Sequence, residues 1–200
     1  MTKESKTTKK IVTLGILSAL GALLMLLEIP YPPVPFLKLE ISDVVVLVVF
    51  MIYGFKESFM VGILKAFVNL LVFGPAGVYA VGQIVAVIAS MSYVLGMYVT
   101  TNRFHFNKYV GAVITIFIVT TTMVIANYLF VTPIYVGKLT FLDVRETINP
   151  QAFGLDMTGG YLTAIVIVYV PFNIIKGTFV TGIFIAVNEI LSKTVYTKYF

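Results

Sequence analysis

Val170-Pro171-Phe172-Asn173-Ile174-Ile175-Lys176-Gly177-Thr178-Phe179 lies in the middle of an apolar run that extends over residues 161–191. The run is long enough to cross a bilayer, for which about 20 apolar residues suffice. Yet it holds a lysine. A charge at mid-bilayer costs roughly 2.5–3.5 kcal/mol on insertion scales, so a lysine there is expected to face the protein interior and to mark a functional path. Asn173 stands one helical turn before Lys176, on the same face. A second stretch repeats the pattern. Gly62-Ile63-Leu64-Lys65-Ala66-Phe67-Val68-Asn69-Leu70-Leu71 puts Lys65 and Asn69 on one face of another apolar helix. Two such faces predict a polar pocket between transmembrane helices.

The rest of the chain agrees with that setting. Of its 200 residues 59% are hydrophobic and only 12% are charged, with a mean hydropathy of +0.99. A soluble domain is about a quarter charged. The expected fold class is therefore an all-α integral membrane protein. Six transmembrane helices are read at residues 11–29, 41–53, 59–73, 79–99, 109–131 and 161–191, the last interrupted by Pro171 and Gly177. Spans two and three are short for a full crossing. The second is rich in valine and has the composition of a strand, but a lone strand in lipid would leave its backbone groups unpaired. Residues 1–10 form a basic tail, 11–192 the membrane domain, and 193–200 a second tail.

Charge sets the orientation. With six spans, Lys3, Lys6, Lys9, Lys10, Lys56, Arg103, Lys108, Lys193 and Lys198 fall on one side, and only Lys38, Lys138 and Arg145 on the other. The positive-inside rule places both termini in the cytoplasm. The net charge of +5 is thus a topology signal and not a nucleic-acid footprint. The stretch 11–29 has no small-residue cleavage site and reads as a retained span. Cysteine is absent, which excludes disulfides, thiolate metal sites and cysteine catalysis. The single histidine, His105, sits in a basic loop and is expected to be solvated. No Ser/His/Asp set, no HExxH and no acidic pair with metal-ligand spacing is present, so no enzyme and no metal site are expected. No phosphate-binding glycine loop is present either, so any driving energy comes from elsewhere.

The loops on the outer side carry further candidates. Residues 30–40 include Pro30, Pro32, Pro33 and Pro35 and read as a stiff, extended connector. Residues 132–160, with Asp143, Arg145, Glu146 and Asp156, are long for a connector and read as a lid or binding loop. Asn173 with Lys176 suits a planar heterocycle edge, since an asparagine both donates and accepts; an internal pair is the alternative. Asn127, near the outer end of span five, serves either a ligand or a bond between helices. Ser42 or Asp43 suits a helix cap. Glu40 can accept from a ligand or neutralise Lys65 or Lys176. Tyr31, Phe36 and Tyr79 are placed to stack on a ligand. In span one, Gly15 with Ala19 and Ser18 with Ala22 form small-xxx-small pairs, suited to internal packing or to docking against another membrane subunit.

Two stretches, Leu37-Lys38-Leu39-Glu40-Ile41-Ser42-Asp43 and Pro171-Phe172-Asn173-Ile174-Ile175-Lys176, carry a resemblance. Together with six spans and the proline loop, they make the chain similar to the substrate-binding S components of energy-coupling factor (ECF) vitamin transporters, most of all the riboflavin-specific ones. The resemblance implies a ligand edge met by Asn127, Asn173 and Lys176, with the backbone at Leu39 and Glu40 beside it. Depth in the membrane adds Asn69, Gly82 and Gln83 to the expected pocket. It also implies docking of span one, through Gly15, Ser18, Ala19 and Ala22, to a transmembrane coupling subunit with two ATPases. The family motif there is written with alanines, so two faces remain open. Riboflavin would be the transported ligand, with no cofactor, in a multi-pass protein of the cell membrane. The outer loops offer few basic residues for a phosphate, so riboflavin is expected over flavin mononucleotide. The alternatives are a stand-alone secondary transporter of a small amphipathic solute, or an S component for a different vitamin.

Overall fold

The computed structural model describes residues 3–32, 34–137, 145 and 148–194. Six principal helices follow one another: α1 (Lys3–Leu24), α2 (Asp43–Tyr53), α3 (Phe55–Phe73), α4 (Val81–Met97), α5 (Lys108–Ala126) and α6 (Tyr161–Thr194). A π turn at Tyr98–Arg103 prolongs α4. Another at Asn127–Val131, followed by the helical turn Thr132–Tyr135, prolongs α5. Among the described residues, four helices are long and apolar enough to cross a membrane: Thr7–Leu24, Val81–Arg103, Lys108–Tyr135 and Tyr161–Leu191. The chain is an integral membrane protein.

The valine-rich stretch is a helix. Its composition favours strand, but α2 sits in the middle of the bundle, against α1, α3, α4 and α6. Val44, Val45, Val46, Leu47, Val49 and Phe50 are all buried. A helix that is apolar all round belongs in a core. Val61 of α3, Tyr93 and Val94 of α4, Val119 of α5 and Val180 of α6 complete the cluster around it. Gly54, at φ 93°, links α2 directly to α3. That left-handed turn is glycine's territory.

Three expectations change. The proline-rich connector is not a plain loop. β1 (Ile29–Tyr31) and β2 (Val34–Leu39) pair as an antiparallel hairpin, with Ile29 opposite Leu39 and Pro30 opposite Lys38. The all-α reading therefore needs a small two-stranded element added. Prolines fit it because their φ is close to that of extended chain, and a two-stranded ribbon has a free edge on each strand. Second, neither Pro171 nor Gly177 interrupts the last helix, which is continuous from Tyr161 to Thr194. Gly177 is instead a packing position: a Cβ there would lie 3.0 Å from Ile116 Cγ1 of α5. Third, α1 already begins at Lys3, so Lys9 and Lys10 are helical. The expected lid residues Asp143 and Glu146, with Lys138 and Lys198, lie outside the described residues.

Antiparallel succession collects the hairpin, residues 74–80 and residues 148–153 at one end of the bundle. The opposite end is tied by ion pairs, Lys10 with Glu57 at 2.5 Å and Lys108 with Glu189.

Candidate ligand-binding cavity

At the hairpin end the helices part around a cavity of about 710 Å³. Its wall is largely apolar, with Val85, Ala89, Val119, Met123 and Phe172 among the lining residues. Into this wall α5 and α6 each bring one asparagine. Asn127 and Asn173 are both buried, and each donates its amide to the carbonyl four residues back in its own helix: Asn127 to Met123 at 2.7 Å, Asn173 to Tyr169 at 2.7 Å. The back-bond fixes the side chain's rotamer. It leaves each amide oxygen without a hydrogen bond among the described residues, on a residue that lines the cavity. Asn127 opens the π turn, whose loosened carbonyls are met from α6: the Tyr161 hydroxyl donates to Tyr128 O at 2.8 Å and lies 3.4 Å from Asn127 O. Such π turns recur at functional sites.

Lys176 and Glu40 stand together in the wall. The ammonium donates to Glu40 Oε1 at 2.6 Å, and the Ser42 N–H donates to Glu40 Oε2 at 2.8 Å. Of the two fates open to Glu40 in the sequence, neutralising Lys176 is the one observed. Burial alone would raise the Glu40 carboxyl; the ammonium groups of Lys176 and Lys65 outweigh it and hold it well below the usual carboxylate range. A second lysine at the cavity, Lys38, is paired with Glu28.

Lys65 does not share the cavity with Asn69. Its ammonium is fully buried and donates to Asp43 Oδ1 at 2.7 Å and to Ser42 Oγ at 2.5 Å. Asp43 also accepts from the Ser90 hydroxyl at 2.6 Å. Ser42 does occupy the N-cap position of α2, but without a side-chain cap bond. In a low-dielectric interior an ammonium draws these oxygens more strongly than a backbone N–H does. The stem of Lys65 lies under Gly21, where a Cβ would come within 3.1 Å of it. Sequence spacing gave Gly21 no part.

The other expected site residues divide. Asn69 and Gly82 line the cavity; Leu39 and Gln83 do not. Asn69 donates to Ala22 O at 3.2 Å and accepts from Gln83 Nε2 at 3.0 Å. Gln83 also donates to Gly74 O and accepts from the Ala76 N–H. These two amides thus hold the 74–80 segment in place, and Gly82 lets it approach, since a Cβ there would be 2.7 Å from Ala76 Cβ. Tyr79 points away, 86% exposed, and Tyr31 packs edge-on to Phe172 at 5.5 Å. The Phe36 side chain lies outside the described residues. The aromatics that do line the cavity include Phe73, Tyr93, Tyr135, Phe153 and Tyr169. Tyr93 escaped the sequence reading because it looks like one more belt aromatic. It is fully buried, and its hydroxyl has no hydrogen-bond partner among the described residues.

The small residues of α1 also divide. Ser18 and Ala22 face inward, while Gly15 and Ala19 are on the outer face beside Ile11, Ile16 and Leu23.

Comparison with known proteins adds to this geometry. The riboflavin transporter FmnP of Bacillus subtilis is 28% identical over 181 residues, which is 88% of this chain and 88% of that one. The riboflavin transporter RibU of Streptococcus thermophilus is 28% identical over 173 residues, 85% of this chain and 76% of its own. A solved structure described as "Structure and mechanism of the S component of a bacterial ECF transporter" superposes with a TM-score of 0.72 at 25% identity, over 96% of this chain and 99% of that one. The family model "ECF transporter, substrate-specific component" matches residues 9–188, and the chain belongs to that family.

Proposed function

We propose that this protein is the riboflavin-binding subunit of an ECF-type importer, taking the vitamin into the cavity at the hairpin end and handing it inward. The observation that carries the reading is the meeting of the Asn127 and Asn173 amides with the Lys176–Glu40 pair in one largely apolar cavity. Such a wall, apolar with a few placed polar groups, suits a fused ring with a C=O and N–H edge and a polyol tail. The names of the relatives support the same ligand. Among the described residues, both lysines that line the cavity already have a carboxylate partner, so neither is left over for a phosphate. Riboflavin is expected to bind more tightly than flavin mononucleotide.

The cavity end faces outward and both termini lie in the cytoplasm of the cell, as the charge bias requires. All six helices cross or dip into the cell membrane. The role is transport and not catalysis. Energy enters through a transmembrane coupling subunit and two ATPases, and the exposed Gly15/Ala19 face of α1 is the surface offered to them. Titration of the purified protein with riboflavin, followed by fluorescence quenching, tests the proposal. Saturable binding at one site is expected. Binding of another vitamin, and none of riboflavin, would leave the family and remove the ligand; uptake without any ATPase would favour a stand-alone secondary transporter.

A further inference from the structure

Asp43 is used neither by the proposed ligand contacts nor by the helix cap. Its two oxygens serve two lysines. Oδ1 accepts from Lys65 and Ser90. Oδ2 accepts no hydrogen bond among the described residues, and the Lys176 ammonium stands 3.4 Å from it. Lys176 in turn is bonded to Glu40. Lys65, Asp43, Lys176 and Glu40 thus form one chain of alternating charges, balanced when all four are ionised. Lys176 and Glu40 line the cavity, whereas the side chains of Lys65 and Asp43 are 0% exposed. Where the dielectric is low, a missing charge at the hidden end is felt at the open end.

We propose that Asp43 is a positioning and specificity-determining residue: it holds Lys176 at the cavity wall and keeps the cluster neutral, so that the site selects an uncharged ligand. Losing the Asp43 charge sets two ammonium groups against one carboxylate and gives the cavity an uncompensated positive charge. Losing the Lys65 charge does the reverse. The inference rests on the flavin reading of the same cavity.

Riboflavin and flavin mononucleotide are titrated against the purified wild-type protein, Asp43→Asn, Lys65→Met and the double variant, with thermal melting as the check on folding. The readout is the ratio of the two dissociation constants. Asp43→Asn is expected to move the ratio toward the phosphorylated ligand by about tenfold or more, the size of one hydrogen bond to a charged group. Lys65→Met moves it the other way, and the double variant, balanced again, returns to the wild-type ratio. A purely structural role would weaken both ligands alike, so an unchanged ratio in the folded single variants overturns the proposal. Should one single variant fail to fold, the other decides, and an unchanged ratio in it overturns the proposal. A wild-type protein that binds neither flavin overturns the ligand reading itself, and this inference with it.

Discussion

The Lys176 ammonium stands 2.6 Å from the Glu40 carboxylate, joining the middle of α6 to the residue that follows β2 across 136 positions of sequence. Both side chains are about nine-tenths buried. Truncating one partner of such a pair leaves the other charged and unpaired, at a cost of about 3–5 kcal/mol. Lys176→Met and Glu40→Gln are each expected to lower the melting temperature in detergent, and the double variant to lose less than the two losses added together. Additive losses would mean that the pair is not coupled.

Asn127 and Asn173 call for a different outcome. Among the described residues their side chains bond only within their own helices, so removing the amide costs the fold little. Asn127→Ala and Asn173→Ala should each weaken riboflavin binding roughly tenfold, one ordinary hydrogen bond, with melting shifted little. Unchanged quenching curves in both would remove these residues from the site.

Tyr93 separates ligand contact from structure. Its buried hydroxyl costs stability while it has no partner. Tyr93→Phe is expected to leave the melting temperature equal or higher and flavin binding unchanged, since the hydroxyl has no surface open to the cavity's occupant. Lower stability with unchanged binding would show that the hydroxyl serves the fold.

Position within α1 decides the fourth outcome. Gly15→Leu and Ala19→Leu, on the exposed face, should leave flavin binding intact and reduce uptake by cells that express the whole transporter. Ala22→Leu, on the buried face, should instead destabilise the isolated protein, because overpacking a filled core costs about 1–3 kcal/mol. Normal uptake with Ala19→Leu would move the docking surface elsewhere.

The six helices were legible because each carries a sustained apolar run, and lipid leaves the backbone few alternatives. The pocket was legible at Asn173 and Lys176, where polar residues break such a run at helical spacing. Partners distant in sequence were not. Ser42 and Asp43 have the local pattern of a cap, and nothing nearby reports that Lys65, one helix later, takes them. Asn69 and Gln83 were expected in the pocket from their depth; only Asn69 lines the cavity, and both amides bond backbone groups of Gly74, Ala76 and Ala22 that no side-chain pattern announces. Pro171 marks a break in most helices; here α6 runs on through it.

The glycine turn between α2 and α3 has a bearing on how the protein is made. At 1.5 Å per residue, the eleven residues of α2 span about half of the hydrocarbon core, and the helix starts with a carboxylate. The following helix carries a lysine that would be costly in lipid by itself. Folded back on each other at Gly54, the two arms bring Asp43 and Lys65 together and cancel both charges. Leaving the translocon singly, neither arm is a good membrane segment; leaving it as a pair, both are. The α2–α3 pair is thus neutral as a unit, and Gly54 is what lets Asp43 and Lys65 reach each other.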